Sequence, residues 1–338
     1  MTSFSGASVL RVGAIGADSS HLAEFSCRMA DLHAAGGTRC LVTHFHDLEA
    51  RALRTHPASQ TLLPKAEKWR EQVLALGARE TRTIDELLQS VDAVMVLNRD
   101  GHRHFDLAVR CFERGKPTFV DKPLTCSFDQ AGKLLNLART TGARCWSASA
   151  LRFAPEIGRI PRAELGRIVA VDAFGGGETC DLMPGLWFYG CHTIEMVDAI
   201  WGPGVERVRA VSLPDRFLVD LGYGDGRTAR LRLERRGMGQ FGATVHGERG
   251  VHHFVVDFGP VYAGLVGAIT AFFEGRKPAV QLDNIVESIG VMQAGNESIA
   301  RDGAWTQVGQ SNLTGSGSHT PSPTHPTAAA TDQHRPSI

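Results

Sequence analysis

The stretch VLRVGAIGADSSH, residues 9–21, decides how the N-terminal part of this chain folds. The apolar run from Val9 to Ile15 predicts a short buried strand, and Gly16 follows where the backbone must turn sharply. Apolar residues then recur every three or four positions from His21 to Leu32, which predicts a helix. A strand, a glycine turn and a helix in this order are typical of a dinucleotide-binding α/β domain.

The alternation of strands and helices continues to about residue 150. We predict further strands at 39–43, 93–97, 118–120 and 143–149, and helices at 84–89, 105–113 and 128–141. The stretch 48–76 is charged and helix-prone, although Pro57 and Pro64 interrupt it. Thr83 with Glu86 predicts a capped helix start, and Gly115 and Gly142 predict left-handed helix ends. Such alternation favours a doubly wound parallel sheet of the Rossmann type, residues 1–150.

The second half of the chain has a different pattern. Strand-like stretches follow one another at 168–174, 207–213, 217–223, 228–234, 242–246 and 251–257. Glycine turns at 224–226 and 247–250 predict antiparallel hairpins, and helices are expected at 192–200, 261–274 and 283–300. We therefore expect an α+β domain with an open, mainly antiparallel sheet over residues 151–310. The Ser-, Thr-, Pro- and Gly-rich residues 311–338 predict a disordered tail.

Composition narrows the class of function. Lys plus Arg and Asp plus Glu both number 36 among 338 residues, so no net charge draws the chain to nucleic acid or to a membrane surface. The seven cysteines are scattered without a C-x-x-C pair, which indicates free thiols rather than disulfides or a zinc site. No apolar run is long enough to span a bilayer, and no signal peptide is recognisable at the start. We expect a cytoplasmic protein whose partner is a small molecule.

The turn after the first strand is a candidate phosphate site, because a helix N-terminus attracts anions. If Gly16 is the first glycine of G-x-G-x-x-G, Asp18 and His21 occupy the other two glycine positions. Ser19 and Ser20 can donate hydrogen bonds to phosphate, while a plain turn capped by Asp18 is the alternative. The candidate cofactor residues here are Gly13, Gly16, Ala17, Asp18, Ser19, Ser20 and His21.

The second strand lacks an acidic residue at the place where the adenosine ribose is usually bound. Asp47, or one of the histidines just before it, can serve instead. The choice between NAD and NADP therefore stays open at this point.

Three later stretches carry a resemblance to a known family. They are residues 98–104, FVDKPL at 119–124 and GCHTIE at 190–195. The stretch FFEGRKP at 272–278, followed by Glu297-Ser298, is similar to the family's last two helices. In order and spacing the chain resembles the Gfo/Idh/MocA oxidoreductases from about residue 8 to residue 309. The resemblance implies binding of NAD or NADP and oxidation of a sugar or cyclitol hydroxyl, or the reverse reduction.

The resemblance also implies roles for individual residues. Lys122, in Asp-Lys-Pro where Glu-Lys-Pro is commoner, would touch the nicotinamide ribose and the substrate, and His192 would be the acid/base. Many members carry an aspartate four residues before that histidine, whereas this chain has Phe188, and Tyr189 could partly replace it. Asn98, His104 and Asp121 complete the expected cofactor residues, and Arg152 and Trp187 complete the expected substrate residues.

The ordinary pKa values of lysine and histidine predict different roles for Lys122 and His192. Free lysine is a poor base at neutral pH, and burial beside a cationic cofactor would lower its pKa. Histidine already titrates near neutrality. The hypothesis is that His192 exchanges the substrate proton while Lys122 positions and polarises the oxygen.

Local structural roles are the alternatives for these residues. Lys122 can be a strand-end charge pair with Asp121, and His192 can cap its own helix. His104 is either a nicotinamide-side contact or an ordinary helix-start histidine. Arg152 is either an anchor for an anionic substrate group or a salt bridge at the domain hinge. Glu195 is expected to pair locally rather than to catalyse.

Three functions stay open from the sequence. The first is a dehydrogenase or reductase of a small polyol, sugar or related hydroxy or keto compound. The second is an NAD-dependent glycosidase or lyase without net redox change, and the third is a non-catalytic ligand sensor or partner protein. By analogy, the open sheet suggests a homodimer or homotetramer. Substrate identity, the direction of the reaction and the oligomeric state are not readable.

Overall fold

The computed structural model describes residues 8–48, 63–236 and 239–309. The strands of the N-terminal half are β1 (Leu10–Ile15), β2 (Cys40–His46), β3 (Arg79–Glu80), β4 (Ala93–Val96), β5 (Thr118–Val120) and β6 (Cys145–Ser147). The helices of this half are α1 (His21–Ala34), α2 (Leu63–Ala75), α3 (Ile84–Ser90), α4 (His104–Glu113) and α5 (Phe128–Thr141).

The first six strands form a parallel sheet in the order β3-β2-β1-β4-β5-β6. Every residue of β4 and β5 is buried, as expected for parallel strands that helices cover on both faces. The strand order reverses between β1 and β4, and ligands of open α/β sheets bind at the carboxyl ends of the strands beside such a reversal. The predicted doubly wound domain is confirmed.

The capping signals read from the sequence are also confirmed. Thr83 Oγ1 accepts a hydrogen bond from the Glu86 backbone N–H at 3.1 Å and so begins α3. Gly115 after α4 and Gly142 after α5 have left-handed φ angles of 63° and 71°. Local chain chemistry therefore determines where these helices start and stop.

The C-terminal half forms a second, seven-stranded sheet in the order β12-β11-β7-β10-β9-β8-β13. Its strands are β7 (Ile168–Gly176), β8 (Val205–Ser212), β9 (Arg216–Tyr223), β10 (Thr228–Glu234), β11 (Gly242–Gly247), β12 (Gly250–Val255) and β13 (Thr306–Gln307). Its helices are α6 (Pro155–Gly158), α7 (Arg162–Leu165), α8 (Gly190–Trp201), α9 (Phe258–Phe273) and α10 (Leu282–Ala300).

This sheet is mixed rather than purely antiparallel. The hairpins β9–β10 and β11–β12 are antiparallel as predicted, but β7 and β10 pair in parallel. Tight turns dictate the direction of neighbouring strands only, whereas the long connection from β7 to β10 allows either direction. The expected open, mainly antiparallel α+β domain is confirmed with that exception.

Helix α9 joins the two halves, because it belongs to the second half in sequence and packs against α1 of the first. Glu274, directly after α9, accepts hydrogen bonds from Thr38 Oγ1 at 2.7 Å and from the Arg39 backbone N–H at 2.8 Å. Tyr262 of this helix thereby lies beside His21 at the start of α1. The domain boundary at residues 150/151 stays a prediction.

Two predictions fall wholly or partly outside the described residues. The helix-prone stretch 48–76 is described only from residue 63, where α2 begins, and the tail 311–338 is not described. No helix within the described ranges is both long enough and apolar enough to cross a membrane.

Candidate active site

The turn after β1 depends on a glycine at one of the two predicted positions. Gly16 has a φ of 103°, and a Cβ there would overlap the Asn98 backbone nitrogen, so only glycine fits. Gly13 instead lies inside β1, where a Cβ would be 2.7 Å from Leu87 Cδ2. Its smallness lets α3 pack against the strand, and its contact with a cofactor stays a prediction. Ala17 is buried in the turn beside Gly16.

Asp18 does not cap the helix that follows it. Its carboxylate accepts hydrogen bonds from the Arg99 backbone N–H at 3.0 and 3.2 Å, so the capping alternative is wrong. Ser19 donates its hydroxyl hydrogen to the Leu97 carbonyl oxygen at 3.2 Å. Ser20 is the N-cap residue of α1, is exposed, and makes no side-chain capping hydrogen bond. Phosphate contacts by Ser19 and Ser20 stay predictions.

The residues at this edge of the sheet fit a dinucleotide. The first turn of α1 has no side-chain cap, which leaves backbone N–H groups to bind a pyrophosphate. Asn98 carries a buried Oδ1 without a hydrogen-bond partner among the described residues. Asp47 follows β2 directly, at the strand end where the adenosine ribose is bound in such folds. The turn, Asn98 and Asp47 would hold the cofactor.

Asp121 and Lys122 follow β5 at the same edge of the sheet. The peptide bond between Lys122 and Pro123 is cis. Asp121 is buried, with its Oδ2 2.5 Å from His21 Nδ1 and its Oδ1 accepting the Lys122 backbone N–H at 2.9 Å. The Tyr262 hydroxyl lies 3.4 Å from Nε2 of the same histidine. His21 thus completes the surroundings of Asp121, and its direct contact with a cofactor stays a prediction.

This arrangement keeps Lys122 charged. Burial alone would raise the pKa of Asp121, but His21 and Lys122 outweigh burial and lower that pKa to about 2. Burial alone would lower the pKa of Lys122, but Asp121 and the weaker contributions of Cys191, Tyr262 and Tyr189 raise it above its ordinary value. Lys122 is therefore an ammonium at neutral pH in this structure, and the lowering of its pKa beside a cationic cofactor stays a prediction.

A row of aromatic rings connects Lys122 to His192. The Lys122 Nζ lies 5.9 Å from the ring centroid of Phe188, which is 5.1 Å from that of Tyr189. The Tyr189 ring is in turn 5.4 Å from the His192 ring, edge to face. Phe188 stands where the resemblance implies an aspartate, so the ammonium faces an aromatic ring instead of a carboxylate.

Ser149 orients His192. The Ser149 Oγ lies 2.8 Å from His192 Nδ1 and also accepts the Leu151 backbone N–H at 3.3 Å. Burial, followed by the charges of Lys122 and His21, lowers the pKa of His192 well below its ordinary value. The capping alternative for His192 is wrong, because Tyr189 is the N-cap residue of α8.

Sequence reasoning missed Ser149 because it placed a strand through residues 143–149. The strand β6 ends at Ser147, and the Ser149 side chain begins a short 3₁₀ helix, Ala150–Phe153, instead. A serine before a helical turn is a recognisable N-cap, and that signal could have found it.

Arg152 belongs to a buried ion-pair network. Its Nε donates to Glu195 Oε2 at 2.6 Å, its Nη1 contacts the Asp198 carboxylate, and its Nη2 donates to Ser288 Oγ at 3.3 Å. Both Arg152 and Glu195 side chains are only 2% exposed, so the guanidinium has no donor face free for a substrate. The assignment of Arg152 to the substrate is wrong, and the salt-bridge alternative and the local pairing of Glu195 are confirmed.

Two more expected contacts are corrected by burial. His104 is fully buried, with Nδ1 2.8 Å from the Pro123 carbonyl oxygen and Nε2 2.8 Å from the Asn98 carbonyl oxygen. It cannot reach a nicotinamide with a polar atom, and it connects the loops after β4 and β5 instead. Trp187 is also buried, and it is not among the described residues that line the cavity beside His192.

A cavity of about 260 Å³ lies beside His192. Its walls come from the 3₁₀ turn after β6, the segment after β7, the start of α8 and the start of α9. The lining residues are Ala150, Leu151, Gly176, Glu178, Tyr189, His192, Gly239, Phe241, Phe258, Val261 and Tyr262. Glu178 is the one carboxylate among these described residues. Sequence reasoning did not find it, because no motif marks a lone glutamate after a strand.

Comparisons with known proteins agree with this architecture. Residues 37–149 match the sequence model of Gfo/Idh/MocA, described as an oxidoreductase family with an NAD-binding Rossmann fold. The uncharacterized oxidoreductase YhhX of Escherichia coli (strain K12) is 29% identical over 165 residues. That alignment covers 43% of this chain and 48% of YhhX, so it spans about half the length of the curated relative.

Solved structures extend the similarity in fold to both halves. GenD2 from gentamicin A biosynthesis, solved in complex with NAD, superposes with a TM-score of 0.71 at 19% identity, covering 90% of this chain and 97% of GenD2. A putative myo-inositol dehydrogenase from Sinorhizobium meliloti 1021 superposes with a TM-score of 0.69 at 18% identity, covering 89% and 100%. The match over residues 37–149 and the similarity in fold over both halves make the chain similar to the Gfo/Idh/MocA oxidoreductases.

Proposed function

We propose that this chain is an NAD(P)-dependent oxidoreductase of a sugar, a cyclitol or a related small hydroxy or keto compound. The observation that supports it most directly is a cationic Lys122 near a neutral His192. The Lys122 charge is one of the causes that lower the pKa of His192, and His192 lines the cavity. A hydroxyl group bound there would meet a proton acceptor and a fixed positive charge.

The two residues divide the proton chemistry. A bound NAD or NADP supplies the acceptor or donor of the hydride. The lowered pKa keeps the His192 imidazole neutral, so it can accept the hydroxyl proton. For Nε2 to accept that proton, Nδ1 must carry a hydrogen and donate it to Ser149 Oγ. Lys122 stays charged, so it holds and polarises the substrate oxygen and does not act as the base.

One observation favours a second candidate, a ligand sensor without catalysis. Phe188 stands where the resemblance implies a carboxylate, and the Lys122 ammonium lies 5.9 Å from the centroid of its ring. Turnover separates this candidate from a dehydrogenase, because a sensor binds its ligand without hydride transfer. A glycosidase or lyase that uses NAD without net redox change would release product with no accumulation of reduced cofactor. A cytoplasmic homodimer or homotetramer is the form in which we expect the protein to act.

Cofactor content tests the proposal first. We expect the supernatant of the denatured protein to contain NAD(H) or NADP(H), and the apo protein to bind one of them tightly in a fluorescence titration. A screen of polyols and sugars should then reveal turnover that Lys122→Ala and His192→Ala abolish while dinucleotide binding persists. A folded protein that binds neither dinucleotide would refute the oxidoreductase proposal.

A further inference from the structure

Glu178 takes no part in the proposed proton transfer between the substrate and His192. It lies two residues beyond β7 and lines the cavity together with His192. Its Oε2 is buried and has no hydrogen-bond partner among the described residues. Burial raises the pKa of Glu178, although a hydrogen bond with its own backbone N–H acts in the opposite direction. A buried acceptor without a partner is stabilised when a bound molecule supplies a hydrogen-bond donor.

Glu178 and Tyr189 form one wall of the cavity. A Cβ on Gly176 would be 2.5 Å from Glu178 Oε2 and 2.9 Å from Tyr189 Cδ1, so both side chains crowd the same face of that glycine. Tyr189 packs edge to face against His192. The unpartnered carboxylate is therefore on the wall that carries the proton acceptor.

The rest of the lining is aromatic and uncharged. Phe241 lies 6.0 Å from the His192 ring and 5.6 Å from that of Phe258, measured between centroids, and Tyr262 lines the cavity as well. Since the lowered pKa keeps His192 neutral, Glu178 is the one charged side chain among the described lining residues. Aromatic faces with one carboxylate are the surroundings in which proteins bind organic cations.

The same wall disfavours anionic substrates. The described lining residues include no lysine or arginine. Arg152, which the sequence suggested as an anchor for an anionic group, forms ion pairs with Glu195 and Asp198 instead. A phosphate or carboxylate group placed beside Glu178 would meet a like charge, and Lys122, the cation of the site, is not among the described lining residues.

We propose that Glu178 binds a protonated amino group, so that the substrate is an amine-bearing sugar or cyclitol. This inference rests on the proposed function for the oxidation of the hydroxyl, but the binding of the amine does not depend on turnover. The ammonium of the substrate would donate to the Glu178 carboxylate, and its ring would pack against the aromatic wall. The hydroxyl to be oxidised would then face His192.

Paired probes that differ in one group test this inference. We would measure rates and calorimetric binding for scyllo-inositol against scyllo-inosamine and for D-glucose against D-glucosamine, using the full chain saturated with its dinucleotide. We expect the amino member of at least one pair to have the higher kcat/KM and the tighter binding, by about tenfold or more. Glu178→Gln should weaken the binding of that amino probe about 10- to 100-fold. It should change the binding of the matching hydroxyl probe by less than about threefold.

Two further variants serve as controls. Glu178→Asp keeps the charge and should retain most of the preference for the amine. Asp172→Asn removes a carboxylate from β7, the strand that precedes Glu178. Asp172 pairs with His246 outside the cavity, so this variant should change the binding of neither probe. Circular dichroism and dinucleotide titration would verify that Glu178→Gln is folded.

Each outcome separates this inference from the proposed function. Oxidation of the hydroxyl probes without preference for an amine, equal effects of Glu178→Gln on both members, or binding of no amine by the dinucleotide-loaded protein would overturn the inference. Glu178-dependent binding of an amine by a protein that binds no dinucleotide would support the inference and refute the proposed function.

Discussion

The two sides of the candidate active site differ in how far their charged groups are already satisfied. On the side of the first sheet, both carboxylate oxygens of Asp121 have protein partners, His21 and the Lys122 backbone. On the side of the second sheet, Glu178 Oε2 has none among the described residues. A buried carboxylate whose hydrogen bonds are all made holds a fixed charge in place. A buried carboxylate oxygen without a partner is stabilised most when a ligand donates a hydrogen bond to it. We infer that the first side is preorganised and that the second selects the substrate.

The largest expected effect is the loss of the buried His21–Asp121 pair. His21→Phe should keep the ring packing against Phe25 but leave Asp121 without its ring partner, and lower the free energy of unfolding by about 3–5 kcal/mol. The matched control is His246→Phe, which breaks a half-exposed histidine–aspartate pair of 2.9 Å and should cost about 0–1 kcal/mol. Urea unfolding measures both. Equal losses would show that the first side is not a preorganised pair.

The pH dependence of that pair has a defined sign. The pKa of Asp121 is about 2 in the folded protein against an ordinary 3.8. The carboxylate therefore stabilises the fold fully above pH 3.8, and this contribution is lost as the pH falls towards 2. Unfolding of the His21→Phe variant should lack most of this acid sensitivity. If the His21→Phe variant loses stability at low pH as the original chain does, other carboxylates cause that loss.

An effect of intermediate size is expected from removing the charge of Lys122, which acts on His192 across the site. Lys122→Met should lower kcat/KM by about 10²–10³-fold, in the range of a lost electrostatic or acid–base contribution. It should also move the pKa of His192 upward, because the Lys122 charge is one cause of its lowering. NMR titration of the His192 ring reads this shift without turnover. Lys133→Met, which removes an exposed lysine, should change neither quantity, and an unmoved His192 titration would disprove the coupling.

The smallest effect is expected from Ser149→Ala. Losing the hydrogen bond to His192 Nδ1 should lower kcat by about fivefold to tenfold, the size of one neutral hydrogen bond. Ser147→Ala is the matched control, because the Ser147 hydroxyl is buried without a partner among the described residues. Equal rates in the two variants would mean that Ser149 does not orient the imidazole.

The position of the carboxylate shows where prediction from sequence ended. The resemblance implies an acidic group four residues before His192, and the sequence there reads Phe188. The structure brings Glu178 to the cavity from fourteen residues before His192, because the end of β7 and the start of α8 line the same space. Separation along the chain gives no information about such a meeting, whereas a short motif does.

Arg152 and His104 teach the same lesson in the opposite direction. Both lie near motif residues and were reasonable ligand contacts. Their polar atoms are instead bonded to Glu195, Asp198 and Ser288, and to the carbonyl oxygens of Pro123 and Asn98. Whether a polar side chain is free depends on every neighbour around it, and most of those neighbours are distant in sequence.

The sequence by itself determined the alternation of strands and helices, the helix caps, the glycine turn at Gly16 and the positions of Lys122 and His192 at element ends. These are local properties, since propensity, periodicity and turn chemistry act over a few residues. Only the tertiary structure decided the parallel pairing of β7 with β10, the charge state of Lys122 beside Asp121 and the position of Glu178 in the cavity wall. Those properties depend on burial and on partners that folding brings together from distant parts of the chain.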